Sequence, residues 1–473
     1  MPKLTNHKQN KNPSHRRKAS NSAKILQSLR SRIANLSQAS SLQKFLAKAF
    51  AGSLGLKVIN AGLLYFNSIL LARLLGAGGF GTYSYAVAWI NLLLIPATLG
   101  IEGLIVRENS IYKTKEDWHL SKGLLNWGNK SVLASSILIA NIALLIFWLG
   151  QFNLDKNTLI VLSISFISLP FVALSRLRQS AMQSIGKIVM GQLPEMLINP
   201  LMLCAFLTAV IIVLPLKITA VEAVIVRAIA ATISFITGAI LLQKYLPRQF
   251  KQATPRYEER TWLRSALPML LIGSMYIINN QTDTIMLGIL SNSEAVGIYT
   301  VANRGAGLIS FILLAVNSPL GPTFASLYAA GEKQKLQKVV TQCCRIVFGS
   351  ALFIATILIV FGKQLLLLFG SEFVSGHLVL TVLSVGQLTN AFTGSVALLL
   401  MMTGYDKYTA IGVSISAILN IILNAVLIPI WHAEGAAVAT AASTIIWNII
   451  LVIFALQKLN INSTPLGKIF HKT

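Results

Sequence analysis

Asp283 and Arg304 stand in two apolar runs, 268–290 and 298–328, joined only by the stretch SNSEAVG. Each run reaches the ~20 residues that cross a bilayer, so the pair reads as a transmembrane helical hairpin. An ionised side chain in mid-membrane costs about 2.5–3.5 kcal/mol on insertion scales, so one kept there serves either the fold or the function. With the connection centred between Ser293 and Glu294, Asp283 and Arg304 are equidistant from it. They are then expected at similar depth on antiparallel helices, roughly 10 Å inside the external end at 1.5 Å per residue, as an intramembrane ion pair. Two readings stand: a structural clamp between neighbouring helices, or an anion-handling or coupling site facing a cavity.

Three further basic residues fall within apolar spans: Lys57, Lys130 and Arg227. Lys130, near a cytoplasmic helix end, can snorkel to the interface, as can Arg227 near an external one. The acids at that depth are Asp283 and Glu102, so a cavity built from these helices is expected to be electropositive, favouring a phosphate-bearing substrate over a cationic drug. Lys57, Arg227 and Arg304 are the substrate-binding candidates, projecting into one cavity. Each has a plainer alternative: Lys57 snorkelling inward, Arg227 outward, Arg304 spent on Asp283. Uncharged polar residues also mark the spans: the run 279–282 beside Asp283, Gln387 with Asn390 on one face, and Asn420 with Asn424 four apart. These serve either as hydrogen-bonding glue between helices or as cavity lining.

Enzyme signatures are absent. Gly76, Gly78 and Gly81 match the GxGxxG dinucleotide pattern, but in a turn between membrane helices, not between a strand and a helix. No GxxxxGK[ST] loop occurs, the six histidines lack ligand spacing, and Cys204, Cys343 and Cys344 form no disulfide or zinc framework. Neither a cofactor nor a metal is expected.

The elements that position these residues follow from composition. Of 473 residues 54% are apolar and 12% charged, which marks a polytopic all-α integral membrane protein. Twelve spans are expected, at roughly 50–74, 80–104, 126–149, 157–176, 196–214, 219–242, 267–290, 297–320, 346–369, 377–402, 408–430 and 435–457. Counted by loop and adjoining span end, thirty-two of the forty Lys and Arg fall on the side of the termini and four on the other, so both termini are expected in the cytoplasm. The same asymmetry accounts for the net charge of +25 without a nucleic-acid partner. Residues 1–49 form a basic cytoplasmic tail with eleven Lys and Arg and no acid. Its opening is expected to be disordered. From Ile25 to Leu36 it reads either as a basic amphipathic helix on anionic membrane lipids or as a plain solvated tail.

The chain repeats itself. At an offset of 216 residues, the segment 81–86, GTYSYA, falls on 297–302, GIYTVA, and Asn67 falls on Asp283. This predicts two parallel six-helix lobes, 50–242 and 267–457, with a cytoplasmic linker at 243–266, a tail at 458–473 and a central cavity between the lobes. Pro96, Pro170 and Pro200 interrupt spans two, four and five and are expected to bend them.

The series of segments at 71–109, 283–328, 368–373 (LFGSEF), 400–408 (LMMTGYDKY) and 419–443 resembles the polysaccharide transporter, or O-antigen (Wzx-type) flippase, family of the MOP superfamily. The resemblance covers nearly the whole chain after residue 49. It implies a flippase of the bacterial cytoplasmic (inner) membrane that moves a polyprenyl-pyrophosphate-linked oligosaccharide outward by alternating access for polysaccharide biosynthesis. Polysaccharide assembly proteins are then possible partners. The basic tail is longer than the family pattern needs, and twelve spans rank the fourteen-span lipid II flippases lower. Two alternatives remain. A membrane-embedded polymerase or ligase is expected to present a large external loop, and the longest here is about 362–377. A multidrug or cation exporter of the same superfamily is expected to carry acids in the cavity of its first lobe, whereas span one offers Lys57 and no acid.

Overall fold

A computed structural model describes residues 14–150, 154–213 and 218–467, with the backbone alone described for 14–51, 54, 213, 271–276, 314–315 and 318–319. The chain falls into two compact units, Met1–Gly55 and Leu56–Thr473. In the first, the described backbone is helical from Ser14. The expected disordered opening lies partly outside the described residues, and the amphipathic face between Ile25 and Leu36 outside the described side chains.

In the second unit the described residues form helices joined by short connections. These are α1 (Gly55–Thr98), α2 (Trp118–Leu149), α3 (Lys156–Ser184), α4 (Ile188–Ile212) and α5 (Ala220–Tyr245), then α6 (Glu259–Leu290) and α7 (Ser293–Ala329). They are followed by α8 (Lys333–Val360), α9 (His377–Thr393), α10 (Val396–Met402) and α11 (Asp406–Leu459). Spans drawn from eight of these have mean hydropathies between 1.3 and 2.4, long and apolar enough to cross a membrane. The chain bends inside α1 at Gly76 (φ 67°) and inside α11 at His432 (φ 47°), so each resolves into two rods. The pair α9 and α10 forms one span bent by 40°. With α6, the described residues make the twelve expected transmembrane helices.

Side-chain caps set several starts: Asp117 accepts from Leu120 N at 3.0 Å, Asp155 from Thr158 N at 3.1 Å and Asn292 from Ala295 N at 2.8 Å. Two spans stop well short of expectation. The second stops at Thr98, because Leu99 and Gly100 take positive φ; a short helix, Ile101–Leu104, and a π turn, Ile105–Asn109, follow. The ninth ends at Val360, and Gly362–Leu367 forms a separate turn of helix packed under His377.

The repeat is visible as contact. A Cβ placed on Gly81 would stand 1.6 Å from the Ser293 carbonyl oxygen, and one on Gly297 would stand 2.1 Å from that of Ala77. Ala77 and Ser293 are related by the same 216-residue offset as Gly81 and Gly297, so the two lobes meet reciprocally about a pseudo-twofold axis. Around this contact lies one core shared by both lobes, including Phe80, Val296, Phe369 and Phe373. We call this end the turn face. At the opposite end, the linker face, Leu320, Phe324, Leu336 and Leu459 form a core made from the second lobe alone. The lobes are therefore joined at the turn face and part towards the linker face. Lys122 Nζ donates to the Lys251 and Ala253 carbonyls, which ties the linker to the first lobe. Gln337 and the Asn462 backbone exchange two hydrogen bonds, which tie the tail to the second. Large side chains left uncovered, such as Leu149 and Ile212, form the apolar flank that a bilayer would cover.

Candidate functional site

Asp283, on α6, is 4% exposed and has every side-chain hydrogen bond supplied by neutral groups. Its Oδ1 accepts from Asn420 Nδ2 at 3.0 Å and Asn424 Nδ2 at 2.7 Å. Its Oδ2 accepts from Tyr299 Oη at 2.7 Å and Thr440 Oγ1 at 2.7 Å. The helical spacing of four residues puts both asparagines on one face of α11, and the chain reversal at His432 brings Thr440 back beside them.

The expected ion pair between Asp283 and Arg304 is not formed: no ion pair among the described residues involves either of them. The reason is register. Asn292 caps α7, so the helix begins at Ser293 and the connection shrinks to Ser291 and Asn292. That levels Asp283 with Tyr299 and Thr300, more than a turn before Arg304. Tyr299 and Arg304 are also five residues apart, which at about 100° per residue sets them about 140° apart around the helix. With Tyr299 turned to Asp283, Arg304 faces away from it.

Arg304 instead lies over the Phe80 ring, 5.6 Å from its centroid. Arg227, on α5, lies 6.0 Å from the Tyr83 ring centroid and donates from Nη1 to Tyr83 Oη at 3.3 Å. Phe80 and Tyr83 are stacked at 6.3 Å. Two guanidiniums, one from each lobe, are thus held by neighbouring aromatic side chains without a carboxylate partner among the described residues. Of the three substrate-binding candidates, the structure brings Arg227 and Arg304 together.

Arg227 also lines a cavity of about 460 Å³ in the first lobe, with Asn60, Leu64, Glu102, Arg176, Glu195 and Asn199 among its walls. Lys57 is exposed. It precedes Asn60 by three residues and Leu64 by seven, so it shares their face of α1, but it is not among the residues that line the cavity. Glu102 and Arg176 line a second cavity as well, of about 440 Å³, whose other walls include Leu94, Ile95, Met269, Leu270 and Ile277. A charged chamber and a mainly apolar one therefore share a wall, formed by Glu102 and Arg176.

Two members of this chamber escape a reading of the sequence. Arg176 falls at the expected end of span four, but α3 continues to Ser184 and carries it into the chamber. Glu195 falls in an expected loop, but a π turn at Pro194–Ile198 places it there, accepting from Ser234 Oγ at 3.1 Å and Asn199 Nδ2 at 3.4 Å. The first-lobe chamber thus carries both signs of charge and is not lined by cations alone. Gln179 and Gln183, spaced four apart along the same extension, also line it.

Residues 46–328 match the model of a family described as polysaccharide biosynthesis protein, and residues 268–426 match the MatE family model. The probable low-salt glycan biosynthesis flippase Agl15 of Haloferax volcanii is 23% identical over 410 residues, covering 85% of this chain and 80% of that protein. Among solved structures, an inward-facing multidrug resistance MATE family transporter of the MOP superfamily superposes with a TM-score of 0.69 at 12% identity, over 85% of this chain and 94% of that one. The lipid II flippase MurJ in an inward closed conformation gives 0.67 at 14% identity, over 86% and 87%. At these identities the two structures speak for the fold, which is that of the MOP transporters.

Proposed function

The chain belongs to the polysaccharide biosynthesis protein family, and from that premise we propose that it is a flippase which carries a polyprenyl-pyrophosphate-linked oligosaccharide across the cytoplasmic membrane by alternating access. The observation that carries this reading is the charged chamber with a mainly apolar chamber at its side, sharing Glu102 and Arg176. A substrate with an anionic head and a long hydrocarbon tail needs both environments at once: donors and cations for the pyrophosphate, and an apolar path for the chain. Agl15, named for glycan biosynthesis, supports the same class of cargo.

In this mechanism Arg227 and Arg304 receive the pyrophosphate. They come from opposite lobes and repel each other while the site lacks an anion; an anion between them replaces repulsion with two attractions. Binding then favours the arrangement in which the two cations approach, which is the differential interaction a population shift requires. The linker face, rich in Lys and Arg, is the cytoplasmic side, and the turn face is the external seal. Asp283 is the coupling group: taking up or releasing a proton or cation there would reset the hydrogen bonds that join α6, α7 and α11.

The acids Glu102 and Glu195 favour one second reading, export of a cationic small molecule by the MATE route. Reconstitution decides between them. Proteoliposomes holding the full chain are expected to move a fluorescent lipid-linked oligosaccharide between leaflets and to leave cationic dyes untouched. Dye transport without lipid movement would overturn the flippase reading.

A further inference from the structure

The second lobe contains a cavity of about 350 Å³ of a different character from the chambers already described. Its volume lies within the range of small-molecule sites, about 300–1,000 Å³. Its walls come from α7, from the break between α9 and α10, and from the second rod of α11, and no charged residue is among them. They include Phe311 and Asn317 on α7, Asn390 on α9, and Trp447 and Asn448 on α11.

The break exists because Gly394 adopts φ 64°, which bends the α9–α10 span by 40° and opens space beside α7. The amides around it are only partly used. Asn448 accepts from Thr393 Oγ1 at 2.6 Å and donates to the Thr444 carbonyl at 2.9 Å, and Asn317 accepts from Ser395. The Asn390 side chain has no hydrogen-bond partner among the described residues. Trp447 contributes its ring to the wall, while its Nε1 is enclosed by protein and does not reach the void. A polar side chain without a partner at the edge of a void this size is a point from which a ligand can be held.

The ligand's chemistry follows from the walls. Without a cation they do not suit phosphate, and without a carboxylate they do not suit a metal ion or an amine. A hydrocarbon would leave the amides unsatisfied. A pyranose ring fits all of them: its hydroxyls both donate and accept, as asparagine side chains do, and its C–H faces pack on Trp447 and Phe311. Position agrees as well. Phe311 lies seven residues beyond Arg304 on α7, hence on nearly the same face and about 10 Å nearer the linker face. A pyrophosphate at Arg304 would put the sugars attached to it within reach of this cavity.

We infer that the cavity bounded by Asn317, Asn390 and Trp447 is a neutral sugar subsite, which receives the glycan while the arginines hold the pyrophosphate. The inference rests on the flippase reading for its ligand, and the experiment separates the two. Binding to the full chain in nanodiscs is measured for two probes: bare polyprenyl pyrophosphate, and lipid-linked oligosaccharide purified from producing cells that lack the transporter. Asn390→Ala is expected to weaken the glycan-bearing lipid by about tenfold, the loss of one hydrogen bond, and to leave the bare lipid unchanged. Equal loss for both probes, or loss for neither, would overturn the subsite. In a second measurement, Asn390→Cys in a background with Cys204, Cys343 and Cys344 replaced by Ala is labelled by a small maleimide, with and without glycan released from the lipid by mild acid. Slowed labelling supports the subsite even if wild type binds neither lipid, an outcome that would sink the flippase reading alone. No binding and no protection would sink both.

Discussion

Gly81 and Gly297 touch across the lobe interface, each packed on a backbone carbonyl of the other lobe at a distance that excludes any side chain. They are also related by the internal repeat, so the contact lies on the pseudo-symmetry axis itself. Glu372 Oε2 accepts from Ala77 N at 2.6 Å at the start of the rod that carries Gly81, and Arg73 Nε donates to the Leu368 carbonyl at 2.6 Å. The turn face is thus sealed by backbone contact at the centre and by polar latches at the rim.

Gly81→Ala or Gly297→Ala is expected to pry this seal open, because the added methyl group meets backbone, which cannot swing aside. Spin labels at Lys156 and Lys363, both exposed on the turn face, would report a longer distance population in either variant. An unchanged distribution would show that the contact does not set the conformational balance.

Asp283 is expected to be coupled energetically to Tyr299 and not to Arg304. Tyr299→Phe leaves a buried carboxylate short of one donor and is expected to cost about 1–3 kcal/mol. Combined with Asp283→Asn the two losses should be strongly non-additive, whereas Asp283→Asn with Arg304→Gln should add. Thermal unfolding in detergent of the single and double variants measures both cycles; the reverse pattern would restore the ion pair.

Arg227→Gln and Arg304→Gln are each expected to lower lipid-linked glycan export at least tenfold at normal abundance, with Lys at either position retaining part of it, since charge survives and the planar fork does not. Glu102→Gln serves as the contrast. It should spare glycan export if the cargo is an anionic lipid, and should abolish transport if the cargo is a cation.

Topology gives a further expectation. A cysteine introduced at Gln252 should resist an impermeant thiol reagent in intact cells, and one at Lys363 should react. The opposite result would invert the orientation argued from the distribution of Lys and Arg.

The frame was legible in the sequence: hydrophobic length and charge asymmetry lead to twelve spans, and the GTYSYA and GIYTVA segments already contain both interface glycines and both Tyr83 and Tyr299. What they touch was not legible, because pairing depends on helix register. Reading Ser293 to Gly297 as loop shifted the hairpin by about half a turn of helix on each side, enough to substitute Arg304 for Tyr299 opposite Asp283. The asparagine that corrects this, Asn292, is an ordinary capping signal. Arg176 and Glu195 were hidden for a related reason: one lies on a helix that outruns its apolar stretch, the other in a π turn, which leaves no mark in hydrophobic periodicity. In the second lobe Asn390 stood out, on one face with Gln387, but not the Asn317, Trp447 and Asn448 that α7 and α11 bring alongside it.

One helix belongs to both lobes at once. At the linker face α6 is anchored in the first lobe: Trp262 is fully buried, its ring 5.5 Å from Trp127 and its Nε1 donating to Tyr112 Oη at 3.0 Å, and Gly100 lies directly against the Ala266 backbone. Towards the turn face the same helix is fixed in the second lobe through Asp283. It is therefore a beam clamped at both ends, with Pro268, which removes a backbone hydrogen bond, set near one clamp. Any rotation of one lobe against the other must be taken up as flexure between Trp262 and Asp283. The beam delivers that flexure as a torque on the four hydrogen bonds around the carboxylate. Whatever loosens those bonds softens one clamp, and so lowers the stiffness that the whole molecule presents to a change of face.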